Sequence, residues 1–198
     1  MIRLELAYNK DGRGISIPDE WLRQRAITCA MPTSLRFHPS CRHASGNHLP
    51  AMIAHIQGVQ GFAVHRTYLT QSGQKAKVIP AKAMLGGCKG GSVRLAQGGN
   101  VLAVSEGIET GLSLASGILK TPATIWAALS ASGIESLSLP ATPSRLIIAS
   151  DSDDKGAVLR AAQALAQRAS GLGWDVSLLP APAGQDWNDY LNMKGGAE

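Results

Sequence analysis

The sequence predicts an α/β fold: a small four-stranded parallel sheet flanked by helices over residues 97–198, preceded by a small basic α+β subdomain over residues 1–96. Three observations predict it. From about residue 99 onward, apolar runs of strand length alternate with stretches of helical pattern. Two of those runs end in acids, Glu106-Gly107 after residues 101–105 and Asp151-Ser152-Asp153 after residues 146–150. The charge is also divided. Residues 1–96 hold 13 Lys and Arg against 4 acids, whereas residues 97–198 hold 6 against 10. A basic front and an acidic rear fit a nucleic-acid-binding surface beside a metal-binding one.

In the front part, residues 18–26 read as a short helix, with Pro18 at its start and Asp19 and Glu20 in its first turn. Residues 35–39 read as a short strand ended by Pro39, and residues 40–49 as a polar loop. Residues 51–56 and 62–69 flank Gly58-Val59-Gln60-Gly61, the pattern of an antiparallel hairpin. The run Gly86-Gly87-Cys88-Lys89-Gly90-Gly91 lacks the Gly-Lys-Ser/Thr of a Walker loop and no helix follows it. It reads first as a flexible loop and second as a phosphate cradle.

Gln97-Gly98-Gly99-Asn100 is the best boundary in the chain. Beyond it, strand 101–105 leads into helix 108–118, and strand 123–128 into a short helix over 131–137. Strand 145–150 leads into an alanine-rich helix over 156–170 that Gly171 ends. Strand 175–179 leads to Pro180 and a last helix from about Asp186. Strands joined by helices pair in parallel with right-handed crossovers.

Several classes are excluded. No window approaches the roughly 18 apolar residues of a membrane span, and the first residues lack the apolar core of a signal peptide. Three scattered cysteines, Cys29, Cys41 and Cys88, argue for a reducing cytoplasm and no disulfide framework. His38, Cys41, His43 and His48 crowd together without paired Cys-x₂₋₄-Cys spacing, so no zinc is expected.

Ligands bind at the carboxyl ends of parallel strands, where Glu106, Asp151 and Asp153 fall. Three carboxylates there repel unless a cation sits among them, and oxygen-only donors suit Mg²⁺ or Mn²⁺. Glu109 either offsets the dipole of the helix that follows or stands beside the metal. Asp154 reads as the cap of the next helix, and Lys155, beside the aspartates, as a phosphate or nucleotide contact. Asp186 and Asp189 either serve the last helix or extend the pocket to a second metal.

The stretches Val-Leu-Ala-Val-Ser-Glu-Gly-Ile-Glu-Thr, Ile-Ile-Ala-Ser-Asp-Ser-Asp-Asp-Lys-Gly and Gly-Gln-Asp-Trp-Asn-Asp-Tyr-Leu resemble the Toprim domain, above all that of DnaG-type and phage or plasmid primases and primase-helicases. The resemblance covers about residues 99–193 and implies a Rossmann-like Toprim sheet. It implies Mg²⁺ held by Glu106, Asp151 and Asp153 as catalytic residues, with Glu109 and Asp186 as neighbours. Leu-Arg-Phe-His-Pro, Ala-Val-His-Arg-Thr-Tyr-Leu and Met-Leu-Gly-Gly-Cys-Lys-Gly-Gly-Ser-Val-Arg-Leu resemble the segment before Toprim in those proteins. By that analogy Arg36, His65, Arg66, Lys82 and Lys89 hold template or nucleotide, together with Lys155.

The activity so implied is Mg²⁺-dependent nucleotidyl transfer: primer synthesis from NTPs on single-stranded DNA, alone or with a separate helicase or zinc-module protein. Two alternatives stay open: a metal-dependent Toprim nuclease like those of the OLD family, and a non-catalytic DNA-binding replication accessory.

Overall fold

A computed structural model describes residues 19–151 and 156–195. Two sheets organise them. The first is antiparallel, in the order β1 (Leu35–Arg42), β2 (His48–Ile56), β3 (Ala63–Tyr68), β4 (Lys82–Leu85). Helix α1 (Asp19–Arg23) precedes it. The expected hairpin is β2–β3, paired from Ala51 with Tyr68 to Ile56 with Ala63.

Strand β1 does not stop at Pro39. Its register slips between His38 and Cys41, leaving Pro39 and Ser40 in an irregularity of an edge strand. There the missing N–H removes no ladder bond, so the chain stays extended to Arg42. The expected loop over 40–49 shrinks to a turn closed by His43 N–H donating to Asn47 O at 2.8 Å.

Alternation decides which residues face which way. Ala51 and Ile53 of β2 point outward, with Arg36, Arg66 and Tyr68 in the same cross-strand rows. Met52 and Ala54 point inward to the second sheet, in rows with Phe37, His65, Thr67, Met84 and Lys82.

The second sheet has the order β5-β7-β6-β8-β9. Its four parallel strands are those the sequence predicts: β6 (Val101–Ser105), β7 (Thr124–Ala127), β8 (Arg145–Ser150) and β9 (Asp175–Pro180). A fifth strand, β5 (Val93–Ala96), adds itself antiparallel to β7 at one edge. Val-Arg-Leu-Ala alternates over only four residues, too short a signal to stand out.

The glycine-rich run joins the sheets. Gln57 and Ser92 exchange backbone hydrogen bonds at 2.8 and 3.0 Å. A Cβ on Gly91 would lie 2.5 Å from Val59 Cγ1 and 2.6 Å from Ile56 Cγ2, so only glycine lets this loop lie against the hairpin.

Helix α2 (Ile108–Ser113) follows β6 and widens in its last turn, where Leu119 N–H donates to Leu114 O at 3.1 Å. Helices α3 (Ala131–Ser136) and α4 (Ala157–Gly171) cover the opposite face, and α5 (Trp187–Gly195) closes the described chain. Val158, Ala161, Ala162, Leu165 and Ala169 form the buried stripe of α4, at helical spacing. Arg168 Nη2 donates to the Leu137 and Glu135 carbonyls at 2.7 and 3.2 Å, clipping α4 to the end of α3.

The second sheet is therefore buried on both faces. Leu102, Val104, Leu146 and Ile148 pack with α3 and α4. Ala103, Ile125 and Ala149 pack with α2, Trp187 and the inner face of the first sheet. That shared core fixes the first sheet beside the carboxyl ends of the parallel strands.

Candidate metal centre and its basic wall

Pairing of Ser105 with Ala149 brings the ends of β6 and β8 side by side, so Glu106 and Asp151 leave adjacent strand ends. The backbone at Glu106 is held from β7. Leu129 N–H donates to Glu106 O at 2.7 Å, and Leu129 itself sits at a φ of 74°. That conformation is strained for a bulky side chain, a kind of strain that gathers at functional sites. The Glu106 side chain is half-buried.

Asp151 is tied on both oxygens. Thr110 Oγ1 donates to Oδ2 at 2.8 Å, and Trp187 N–H donates to Oδ1 at 3.3 Å. Burial pushes the Asp151 carboxyl above its ordinary value; the two hydrogen bonds oppose this, and the Asp186 and Glu109 carboxylates add to it. Asp151 thus feels the charges of Asp186 and Glu109. Asp186 also accepts from Asp189 N–H at 2.7 Å, capping α5.

Glu109 is held by cations. Arg25 Nε donates to Oε1 at 3.1 Å, and Lys82 Nζ lies 3.6 Å from Oε2. Arg25 lies over the Trp21 ring at 4.2 Å, and its carbonyl accepts from Asn188 Nδ2 at 2.8 Å. Asn188 also donates to Ser113 Oγ at 3.0 Å. The α1 segment, α2 and α5 are thus knotted around Glu109.

Sequence reasoning missed Arg25, Thr110 and Asn188. Thr110 lies within the quoted Glu-Gly-Ile-Glu-Thr stretch and Asn188 within Asp-Trp-Asn-Asp. Nothing local marks Arg25, whose partner is 84 residues away.

The expected nucleic-acid residues divide between two faces. His65 and Lys82 lie on the inner face, toward Glu109. Arg36 and Arg66 lie on the outer face, away from the acids, and Arg36 Nη1 donates to the Thr33 and Leu35 carbonyls at 2.7 Å. Lys89 lines a neighbouring cavity of about 620 Å³ between the glycine-rich loop and the β7–α3 turn. Asp153, Asp154 and Lys155 lie outside the described residues. Among the described residues, no three His, Cys, Asp or Glu side chains converge as a metal shell.

His65 is buried, 4% exposed, and its Nδ1 has no hydrogen-bond partner. Burial and the Lys82 charge push its pKa down to about 4, against the pull of Glu109, with Arg66 adding to the fall. It is neutral at pH 7 and sits among the charges of Lys82, Glu109 and Arg66. The unfolded chain takes up this proton below about 6.5, before the fold does. Stability is therefore lost as pH falls from 6.5 toward 4, by about 3 kcal/mol in the limit. Urea unfolding at pH 7 and pH 4.5 checks this: His65→Leu should show a shallower loss than the wild type, and equal losses would refute the assignment.

Residues 101–197 match the Toprim domain family. The chain carries a Toprim domain. Residues 15–95, before the Toprim domain, match a domain of unknown function (DUF7146). No curated protein matches the chain. Among solved structures, it is similar to the Aquifex aeolicus primase (zinc-binding and RNA polymerase domains), with a TM-score of 0.53 and 14% identity over 97% of this chain and 55% of that one. The Toprim chain thus spans about half the length of that structure and shares its fold. The primase fragment of the bacteriophage T7 primase-helicase protein aligns at a TM-score of 0.43 and 14% identity, over 96% of this chain and 73% of that one. No helix among the described residues is long and apolar enough to cross a membrane.

Proposed function

We propose that this Toprim protein is a primase-like nucleotidyltransferase of phage- or plasmid-type DNA replication in the cytoplasm. It would join NTPs into a primer on single-stranded DNA. The observation that carries the reading is the half-buried Asp151 carboxylate at the end of β8, beside Glu106 and within the fields of Asp186 and Glu109. A carboxylate burdened by both burial and like charges favours a cation, and an all-oxygen donor set suits Mg²⁺ or Mn²⁺. Glu106 and Asp151 would hold the ion with Asp153, and Asp186, whose charge acts on Asp151, would be a further candidate ligand. When bound, the ion supplies charge neutralisation at the transferring phosphate and activation of the attacking oxygen.

The chain's own residues do the positioning. Thr110 and the Trp187 amide fix the Asp151 carboxylate, and Arg25 and Lys82 draw Glu109 toward the first sheet. The basic front segment, residues 1–96, would carry the template beside the acids. The Aquifex structure of similar fold is described as a primase, which supports the reading.

Labelled NTPs, a single-stranded template and Mg²⁺ test the proposal directly. Short template-dependent products should form with the wild type and not with Asp151→Ala. Cleavage of the template without NTPs, in Mn²⁺, would point instead to a nuclease.

A further inference from the structure

We propose that a cavity on the outer face of the first sheet is a second, phosphate-binding site built around Arg66. It is separated from the acids by the sheet itself, and the inference does not depend on the catalytic reading. The cavity has a volume of about 490 Å³, and its walls include His38, Arg42, His48, Arg66, Tyr68 and Leu85. Among the described residues that line it there is no Asp or Glu.

Arg66 is the reason to expect an anion. Its Nε is buried without a hydrogen-bond partner, and no ion pair involving it occurs among the described residues. The guanidinium lies 5.9 Å from the centre of the Tyr68 ring. Its other neighbours are the Cys41 thiol and the Tyr68 hydroxyl. Burial pushes both above their ordinary values despite the Arg66 charge, so both are neutral at pH 7. An arginine does not shed its proton, and this half-buried guanidinium has no counter-charge among the described residues. A phosphate ester in the cavity would supply one through charge-assisted hydrogen bonds.

The rest of the cavity fits this ligand. His43 spends both ring nitrogens on the protein, Nδ1 with Ser45 Oγ at 2.9 Å and Nε2 with Pro80 O at 3.0 Å. Tyr68 donates its hydroxyl to Arg42 O at 2.9 Å. The wall is therefore fixed before any ligand arrives. His38 accepts from Ser40 N–H at 3.1 Å on Nδ1, which leaves its hydrogen on Nε2 as a donor. Arg42 and His48 are exposed at the rim. Leu85, Ala83 and Pro80 offer apolar contact for the sugar or base that carries the phosphate. The volume suits a ligand of nucleotide size.

The test uses the full chain in EDTA at pH 7.5, with three probes: inorganic phosphate, ATP and a twelve-nucleotide oligo-dT. Histidine ring signals in ¹H–¹³C spectra report the site, since His38 and His48 both line this cavity. Both signals should shift saturably with at least one probe. Arg66→Gln should weaken that binding about tenfold, the usual size for a lost charged hydrogen bond. Arg42→Gln, at an exposed position that leaves folding intact, should weaken it about threefold and stands in if Arg66→Gln does not fold. A response to phosphate and ATP alone identifies a free nucleotide as the source. A response to the oligonucleotide, weakening steeply with salt, identifies a strand backbone. If no probe moves His38 and His48, or if both variants bind as the wild type does, the site does not exist. Asp151→Asn should leave these shifts unchanged, so failure of the catalytic proposal would be seen separately.

Discussion

Asp151→Asn should yield a protein that melts higher and transfers no nucleotide. The carboxyl is held above its ordinary 3.8 by burial and by Asp186 and Glu109. The fold therefore holds this proton more tightly than the unfolded chain does. The stability it confers is full below 3.8 and is lost as pH rises through the folded value, so at pH 7 the ionised group is a net cost. An amide removes the charge and keeps an oxygen for Thr110 Oγ1 or for the Trp187 amide. The gain should be about 1 kcal/mol, or roughly 3 °C in Tm for a chain of this size. Primer synthesis should fall by roughly 100-fold or more, as expected when a group acting on developing charge is removed. Mg²⁺ completes the comparison. At a concentration of 100 times its Kd, an ion that binds only the fold stabilises by about 2.7 kcal/mol. Differential scanning calorimetry with and without Mg²⁺ should show this rise in the wild type and not in Asp151→Asn. A variant that melts lower than the wild type without metal would show that Asp151 is a structural acid paired within the fold.

The largest effect on stability should come from Gly133→Ala. Gly133 lies in the first turn of α3, and its N–H donates to the Ser130 cap at 3.0 Å. A Cβ there would collide with the Ala128 carbonyl oxygen and approach Ser130 Oγ at 3.2 Å. The obstacle is backbone at the end of β7 and cannot turn aside. Ala128 N–H donates to Ser105 O at 2.9 Å and Leu129 N–H to Glu106 O at 2.7 Å, so the displaced turn is the one that seats Glu106. Relief of the clash should cost about 3 kcal/mol, or roughly 9 °C in Tm. Gly171→Ala is the control, because open space surrounds that position and alanine favours a helix. Thermal melts of the two variants decide it. Equal Tm values would mean that α3 can slide on β7 without cost.

The legible part of the sequence was the part governed by local pattern. Strands β6, β7, β8 and β9 were visible because each is a short apolar run followed by a turn signal and a helical stretch. The acids stood out because they end those runs. Pro39 misled for an equally local reason: it removes an N–H, but on an edge strand that N–H has no ladder to join. Strand β5 is four residues long and is held by tertiary contacts, pairing with β7 and packing Val93 and Leu95 into the shared core.

His65 and Arg66 mark the division most sharply. The sequence alone determines that adjacent strand residues face opposite ways, and that one of these two is imidazole and the other guanidinium. Only the tertiary structure decided which face meets the acids, because that depends on how the first sheet seats Met52, Ala54 and Ile56 on the core of the second. It turned His65 inward, buried and neutral beside Lys82 and Glu109, and left Arg66 on a separate wall. The Toprim acids at the ends of β6 and β8 were likewise fixed by sequence, since strand period and length place them there. Their surroundings were not: Thr110 and the Trp187 amide reach Asp151 across 41 and 36 residues, and Arg25 reaches the neighbouring Glu109 across 84. Contacts at such separations are set by the packing of whole elements, and no local pattern records them.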